Sequence, residues 1–135
     1  MPSQFEKPIT VVSEHIDELN HVNNRVYLDW FLDAAADHST KLGWPIEEYF
    51  KRGAGWVVRK HEIEYLAPAL LNEELMIRTW VSNMGAGSSE RSYEIFRPRD
   101  KKTLTTGKTI WVWIDFKTGR PSRIPADVIS VFYPQ

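Results

Sequence analysis

The chain has no cysteine, which excludes disulfides, thiolate nucleophiles and cysteine-ligated zinc and suits a reducing compartment. It has no run of about 18 apolar residues that could cross a membrane as a helix. The stretch from Met1 to Lys7 lacks the apolar core of a signal peptide, so a cytoplasmic protein without a membrane span is expected. Net charge is nearly absent: 17 basic and 18 acidic residues leave -1 at pH 7, so neither nucleic acid nor an anionic membrane is an expected partner. His15, His21, His38 and His61 do not recur at a metal-binding spacing, and no metal or cofactor is expected. A Gly-x-Ser-x-Gly elbow is missing as well; Gly85-Ala86-Gly87-Ser88-Ser89 lies between two strand candidates and reads as a turn.

What is present is an ordinary globular composition, 42% hydrophobic and 26% charged over 135 residues. That length is one domain, residues 1–135, with enough chain to bury a core unaided. Aromatics are abundant, with six Trp, five Tyr and six Phe. Either they fill the core, or some of Trp111, Trp113, Phe116, Phe132 and Tyr133 stay exposed and favour self-association.

The β-branched run Ile9-Thr10-Val11-Val12, between Lys7 and Ile16, reads as a first strand, followed by a polar turn from Glu14 to Asn24. From Asn24 the residues Tyr27, Trp30, Phe31, Ala34, Ala35, His38 and Leu42 recur at three- and four-residue steps. Asn23 or Asn24 can cap this long helix and Gly43 ends it. Asp29, Asp33, Asp37 and Lys41 form a charged stripe on another side, read as solvated. A short helix from Ile46 to Lys51 follows. Four strands are then expected, at Trp56–Tyr65, Glu74–Asn83, Ser88–Arg97 and Thr103–Phe116, as an antiparallel meander. The tail from Asp127 to Gln135 is apolar enough to dock. The fold class is α+β, an antiparallel sheet of about five strands around one long helix.

The chemistry concentrates in Asp17-Glu18-Leu19-Asn20-His21-Val22-Asn23-Asn24-Arg25-Val26-Tyr27. A carboxylate here precedes a helix whose first N–H groups lack intrahelical partners and carry the positive end of the dipole, an arrangement suited to a developing oxyanion. Taken alone, Asp17 reads first as a turn-forming or capping residue, the role of most Asp residues in polar turns. Asn23 and Asn24 read as cap and turn residues, since an amide has no proton that titrates near neutral pH.

Asp17 followed four residues later by His21-Val22-Asn23-Asn24 and then Tyr27 resembles the signature of hotdog-fold acyl-thioester hydrolases, the 4-hydroxybenzoyl-CoA thioesterase-like group. The resemblance continues in Tyr65-Leu66-Ala67-Pro68-Ala69 and in Thr118-Gly119-Arg120-Pro121 with Ile124-Pro125, and so covers nearly the whole chain. Many relatives carry Gly where Asn20 stands, and Asn tolerates the left-handed backbone such a turn needs. The resemblance implies hydrolysis of an acyl-CoA or acyl-carrier-protein thioester to a free acid and a thiol. Asp17 would act as general base or nucleophile and the Asn24 N–H would polarise the carbonyl, with His21 orienting water, fixing Asp17 or merely filling the motif. Plant-type acyl-carrier-protein thioesterases place an Asn two residues before this His; here that residue is Leu19, so their version of the site is not carried over. Substrate contacts are expected from Asn23, Tyr27, Tyr65, Ser88, Ser89 and Arg91, the last three toward pantetheine or phosphate, while Arg59, Lys60 and Arg123 are weaker candidates for phosphate. Trp30, Trp56 and Tyr65 are candidates to line an acyl slot. The family covers its free sheet edge by pairing two subunits, with the active sites between them, so a homodimer or a dimer of dimers is expected. Against an enzyme stand a non-catalytic hotdog module that binds acyl thioesters and a generic β-rich carrier.

Overall fold

A computed structural model describes residues 3–134; Met1, Pro2 and Gln135, which the single-domain reading and the docking tail include, lie outside them. Strand β1 (Gln4–Thr10) leads through a 3₁₀ turn (Ser13–His15) to the long helix α1 (Asn24–Lys41) and the short helix α2 (Ile46–Arg52). Strands β2 (Ala54–Tyr65), β3 (Glu74–Met84), β4 (Ser88–Arg97) and β5 (Lys102–Asp115) follow, and helix α3 (Ala126–Phe132) closes the described chain.

Helix α1 forms where the three- and four-residue spacing expects it. Its inner stripe of Tyr27, Trp30, Phe31, Ala34, Ala35 and His38 is buried, and Asp29, Asp33, Asp37 and Lys41 face solvent. Lys7 of β1 reaches across to pair with Asp37 at 2.6 Å. After Lys41 the chain turns through Gly43 at φ 94°, a conformation that favours glycine.

All strand pairs are antiparallel, in the order β1-β3-β4-β5-β2. Only β3, β4 and β5 form a meander, which corrects the expected four-strand meander: β2 pairs with β5 and not with its sequence neighbour β3. The segment between β2 and β3 instead passes over the start of α1, where Val22 N–H donates to the Ala69 carbonyl at 3.0 Å. The sheet therefore ends in β1 on one side and in the long β2 on the other, with Val57, Val58 and Tyr65 exposed along β2.

One face of the sheet wraps α1. Phe31 stacks on Tyr93 of β4 with ring centroids 4.4 Å apart and planes 10° from parallel. Beneath Phe31, β5 carries Gly107, where a Cβ would collide with the Phe31 ring and stand 3.0 Å from the Glu62 carbonyl oxygen. A second apolar cluster gathers Tyr49 of α2, Val81 of β3, Trp113 of β5, and Val128 and Phe132 of α3. Of the aromatics considered for an exposed face, Trp113 is 1% exposed and Phe132 4%, so both belong to the chain's own core and neither offers an outer contact. Their burial follows from α3, which docks as the apolar tail leads one to expect and covers that part of β5.

Replacing Gly107 by alanine should therefore destabilise the fold by about 1–3 kcal/mol, the usual penalty for overpacking a dense core. Urea denaturation measures this. Combining Gly107→Ala with Phe31→Leu should give a smaller loss than the two single changes added together, because the second change vacates the space the first one invades.

Candidate active site

The turn before α1 is a small closed loop. Ile16 and Val22 form an antiparallel bridge, and Asp17 N–H donates to the His21 carbonyl at 2.9 Å. The Asp17 carboxylate points back into the loop, where its Oδ1 accepts from Leu19 N–H at 2.9 Å and from His21 N–H at 3.4 Å. Its Oδ2 takes no hydrogen bond among the described residues. The loop closes because Asn20 adopts φ 62°, the left-handed conformation that an asparagine in the place of glycine accommodates. His21 thus meets Asp17 through its main chain, and its imidazole is exposed.

Asn23 caps α1, its side-chain oxygen accepting from Arg25 N–H at 3.0 Å, and its own N–H donates to the His15 carbonyl at 2.8 Å. Asn24 is then the first helical residue, and its N–H has no acceptor within the helix. Next to it lies an open cavity of about 240 Å³ lined by His21, Asn24, Tyr27, Tyr65 and the segment Leu66 to Pro68. Two tyrosines fix its walls. Tyr65 hydroxyl donates to the Asn24 carbonyl at 3.2 Å, and Tyr27 hydroxyl accepts from Ala69 N–H at 3.3 Å while its ring meets that of Tyr65 edge-on at 5.4 Å. Burial pushes the Tyr27 phenol above its ordinary pKa, so it stays protonated. Asp17 is not one of the lining residues and adjoins the cavity through the loop that presents His21.

The structure thus brings His21, Asn24, Tyr27 and Tyr65 around one cavity, with Asp17 and Asn23 in the adjoining loop and helix cap. It does not bring Ser88, Ser89 and Arg91 to them. Ser89 and Arg91 instead line a second, larger cavity of about 330 Å³ between the second half of α1, α2 and the sheet, together with Trp56; Ser88 lies at the start of β4. Arg91 is only 4% exposed. Its Nη1 donates to His38 Nδ1 at 2.9 Å and to Thr79 Oγ1 at 3.1 Å, and no carboxylate lies within ion-pairing distance among the described residues. Sequence reasoning places His38 only on the helix's inner stripe and misses its bond to Arg91. It also passes over Glu73, which accepts from Leu70 N–H at 2.8 Å and from Arg97 at 2.6 Å and so holds the loop carrying Ala69. A carboxylate placed just before a strand is the signal that could have pointed to it.

The chain belongs to the thioesterase-like superfamily, whose family model matches residues 11–132. It folds as a hotdog domain. A solved putative oleoyl thioesterase from Lactobacillus plantarum superposes with a TM-score of 0.92 at 21% identity, over 97% of this chain and 51% of that one. A 1,4-dihydroxy-2-naphthoyl-CoA thioesterase from Synechocystis gives 0.87 at 16% identity, over 96% of both chains. A chloroplastic palmitoyl-acyl carrier protein thioesterase of Cuphea hookeriana is 29% identical over 87 residues, which are 64% of this chain and 21% of the relative. The chain thus spans about a fifth of that relative's length.

The His38–Arg91 pair generates a pH dependence. Burial, together with the nearby Arg91 and Lys41 cations, lowers the His38 pKa from 6.5 to about 4, so the ring is neutral near pH 7. Its Nδ1 then accepts from Arg91 and its Nε2 carries the proton toward Ser3 Oγ, 2.9 Å away. As pH falls, the unfolded chain takes up this proton first. The stabilisation is therefore complete above about pH 6.5, declines below it and is lost as pH passes through about 4, a loss of roughly 3 kcal/mol. Urea midpoints measured from pH 7.5 down to 4 should fall more steeply for wild type than for His38→Gln.

Proposed function

We propose that the chain hydrolyses an acyl-CoA or acyl-carrier-protein thioester to a carboxylic acid and a thiol. The observation that carries this reading is the Asn24 N–H at the start of α1, unpaired among the described residues, on a residue that lines a cavity beside the Asp17 loop. A thioester carbonyl placed in that cavity would point its oxygen at the Asn24 N–H, where negative charge is favoured by the helix dipole and by a preorganised donor worth about 3 kcal/mol. The thiolate leaves without a strong general acid, because thiols ionise near pH ~8.5. The remaining demand is a base or nucleophile, and Asp17 supplies it. Its Oδ1 is fixed by the loop's N–H groups and its Oδ2 is left to take a proton from water or to attack the carbonyl carbon. Asn23 holds the helix start, Tyr27 and Tyr65 hold the cavity walls, and His21 lies at its rim.

Two copies joined along β2 form the working unit in this reading. β2 is a 12-residue edge strand with exposed Val57, Val58 and Tyr65, and such an edge is ordinarily covered. Pairing it with its own copy extends the sheet and closes the open side of the Asn24 cavity, which Tyr65 at the end of β2 borders. The outer face of the sheet, where Arg78 pairs with Glu6 and Glu94, is the surface left for a dimer of dimers. A reducing cytoplasm is the compartment the chain's chemistry suits.

Asp17→Asn keeps the size of the side chain and an acceptor oxygen for the loop, and removes the base. Turnover of the best thioester in a panel of acyl-CoAs should fall by at least about 100-fold with the thermal midpoint little changed. Thiol release within a few-fold of wild type would overturn the assignment of Asp17, and binding without hydrolysis by the wild-type chain would favour a non-catalytic acyl-thioester module. Light scattering across a dilution series, read beside activity, should show a dimer whose dissociation abolishes turnover; a fully active monomer would sink the shared-site model.

A further inference from the structure

The larger cavity contains a feature that the proposed hydrolysis does not use. Its walls are apolar, with Leu32 and Ala35 of α1, Trp56 of β2 and Val81 of β3, yet its lining includes the buried guanidinium of Arg91. Arg91 has no counter-ion among the described residues. Its side-chain hydrogen bonds all leave from Nη1 and end on neutral acceptors, His38 Nδ1 and Thr79 Oγ1. Nε and Nη2 make none among the described residues. A buried, unpaired cation is among the most expensive groups a core can hold, and replacing it with an apolar side chain ordinarily stabilises a protein. The fork of an arginine also matches a carboxylate through two parallel N–H donors.

We propose that this cavity receives an acyl group ending in a second carboxylate, with Arg91 as its anchor, so that the preferred substrates are monothioesters of short dicarboxylic acids. The inference rests on the thioesterase reading and specifies the substrate class of that same site. Size agrees: about 330 Å³ holds about ten non-hydrogen atoms at the ~30 Å³ each that a water molecule occupies, close to a six-carbon ω-carboxyacyl group. Geometry agrees as well. Val58 borders the Arg91 cavity and Tyr65 borders the Asn24 cavity, so along one β2 strand the nearest edges of the two openings stand about 23 Å apart, more than one short acyl chain spans. Antiparallel pairing of two β2 strands sets the Tyr65 end of one beside the Gly55 end of the other. A thioester held at Asn24 of one copy then extends its acyl group into the Arg91 cavity of the second.

The test compares adipoyl-CoA with hexanoyl-CoA, which share chain length and differ in the terminal carboxylate. Wild type should favour adipoyl-CoA at least about tenfold in kcat/KM, and Arg91→Met should bring that ratio to one or below. A wild-type ratio near one, or a preference that survives Arg91→Met, would overturn the proposal, and the wild-type comparison stands even if the variant fails to fold. If neither thioester is cleaved, hydrolysis itself is in error and calorimetry with hexanoate and hexanamide decides the pocket, since the two differ only in the charged head that Arg91 would pair with. Hexanoate bound at least tenfold more tightly than hexanamide supports the carboxylate site, while equal binding or none removes it.

Discussion

The arrangement depends on how closely one helix can approach one sheet. Phe31 lies flat on Tyr93 and directly over Gly107, and this contact sets the depth of α1 in the concave face of the sheet. Burying one such aromatic contributes about 1.5–3 kcal/mol, and the stacked geometry adds a specific orientation that a branched aliphatic pair would not impose. With the helix seated at that depth, its two ends meet different surroundings. At the N-terminal end the Asp17 loop and the Ala69 carbonyl lock against it, and at the C-terminal end His38 meets Arg91.

Those two ends divide the chemistry. The loop end is polar, locally encoded and held by main-chain hydrogen bonds, so a carboxylate and a free N–H are fixed without a large buried cost. The sheet end is apolar and holds a cation whose nearest basic neighbour is kept neutral, which leaves the positive charge uncompensated among the described residues. In the proposed reading a thioester has matching parts: a reacting carbonyl that gains negative charge, and an acyl group that must be recognised away from it.

Most of the loop end is legible in the amino-acid sequence, because its determinants lie within eleven consecutive residues. The cap at Asn23, the left-handed Asn20 and the helix to Lys41 all follow from residue-level preferences that act over one or two turns. The sheet end is not legible in the same way. The alternation of β4 puts Ser89, Arg91, Tyr93 and Ile95 on one face, but alternation cannot say which element covers that face, and Arg91 reads as a surface ligand for phosphate. The pairing of β2 with β5 escapes for the same reason: strand patterns specify a face and a length, whereas a neighbour is chosen by contacts distant in sequence. Trp113 and Phe132 read as candidates for an outer surface, and it is α3, lying across them, that makes them core.

The sequence by itself determined the long helix, the polar turn around Asp17 and an N–H without a helical acceptor at the start of α1, since each of these depends on hydrogen bonds and backbone conformations only a few residues long. Tertiary structure alone decided that Tyr65 and the Leu66 to Pro68 segment would wall the cavity beside Asn24, that β2 would be an edge, and that Arg91 would be buried beneath α1 without a counter-ion among the described residues. These join residues from about 40 to more than 50 positions apart, and they are settled by which apolar faces exclude water together, a choice no short stretch of chain can make.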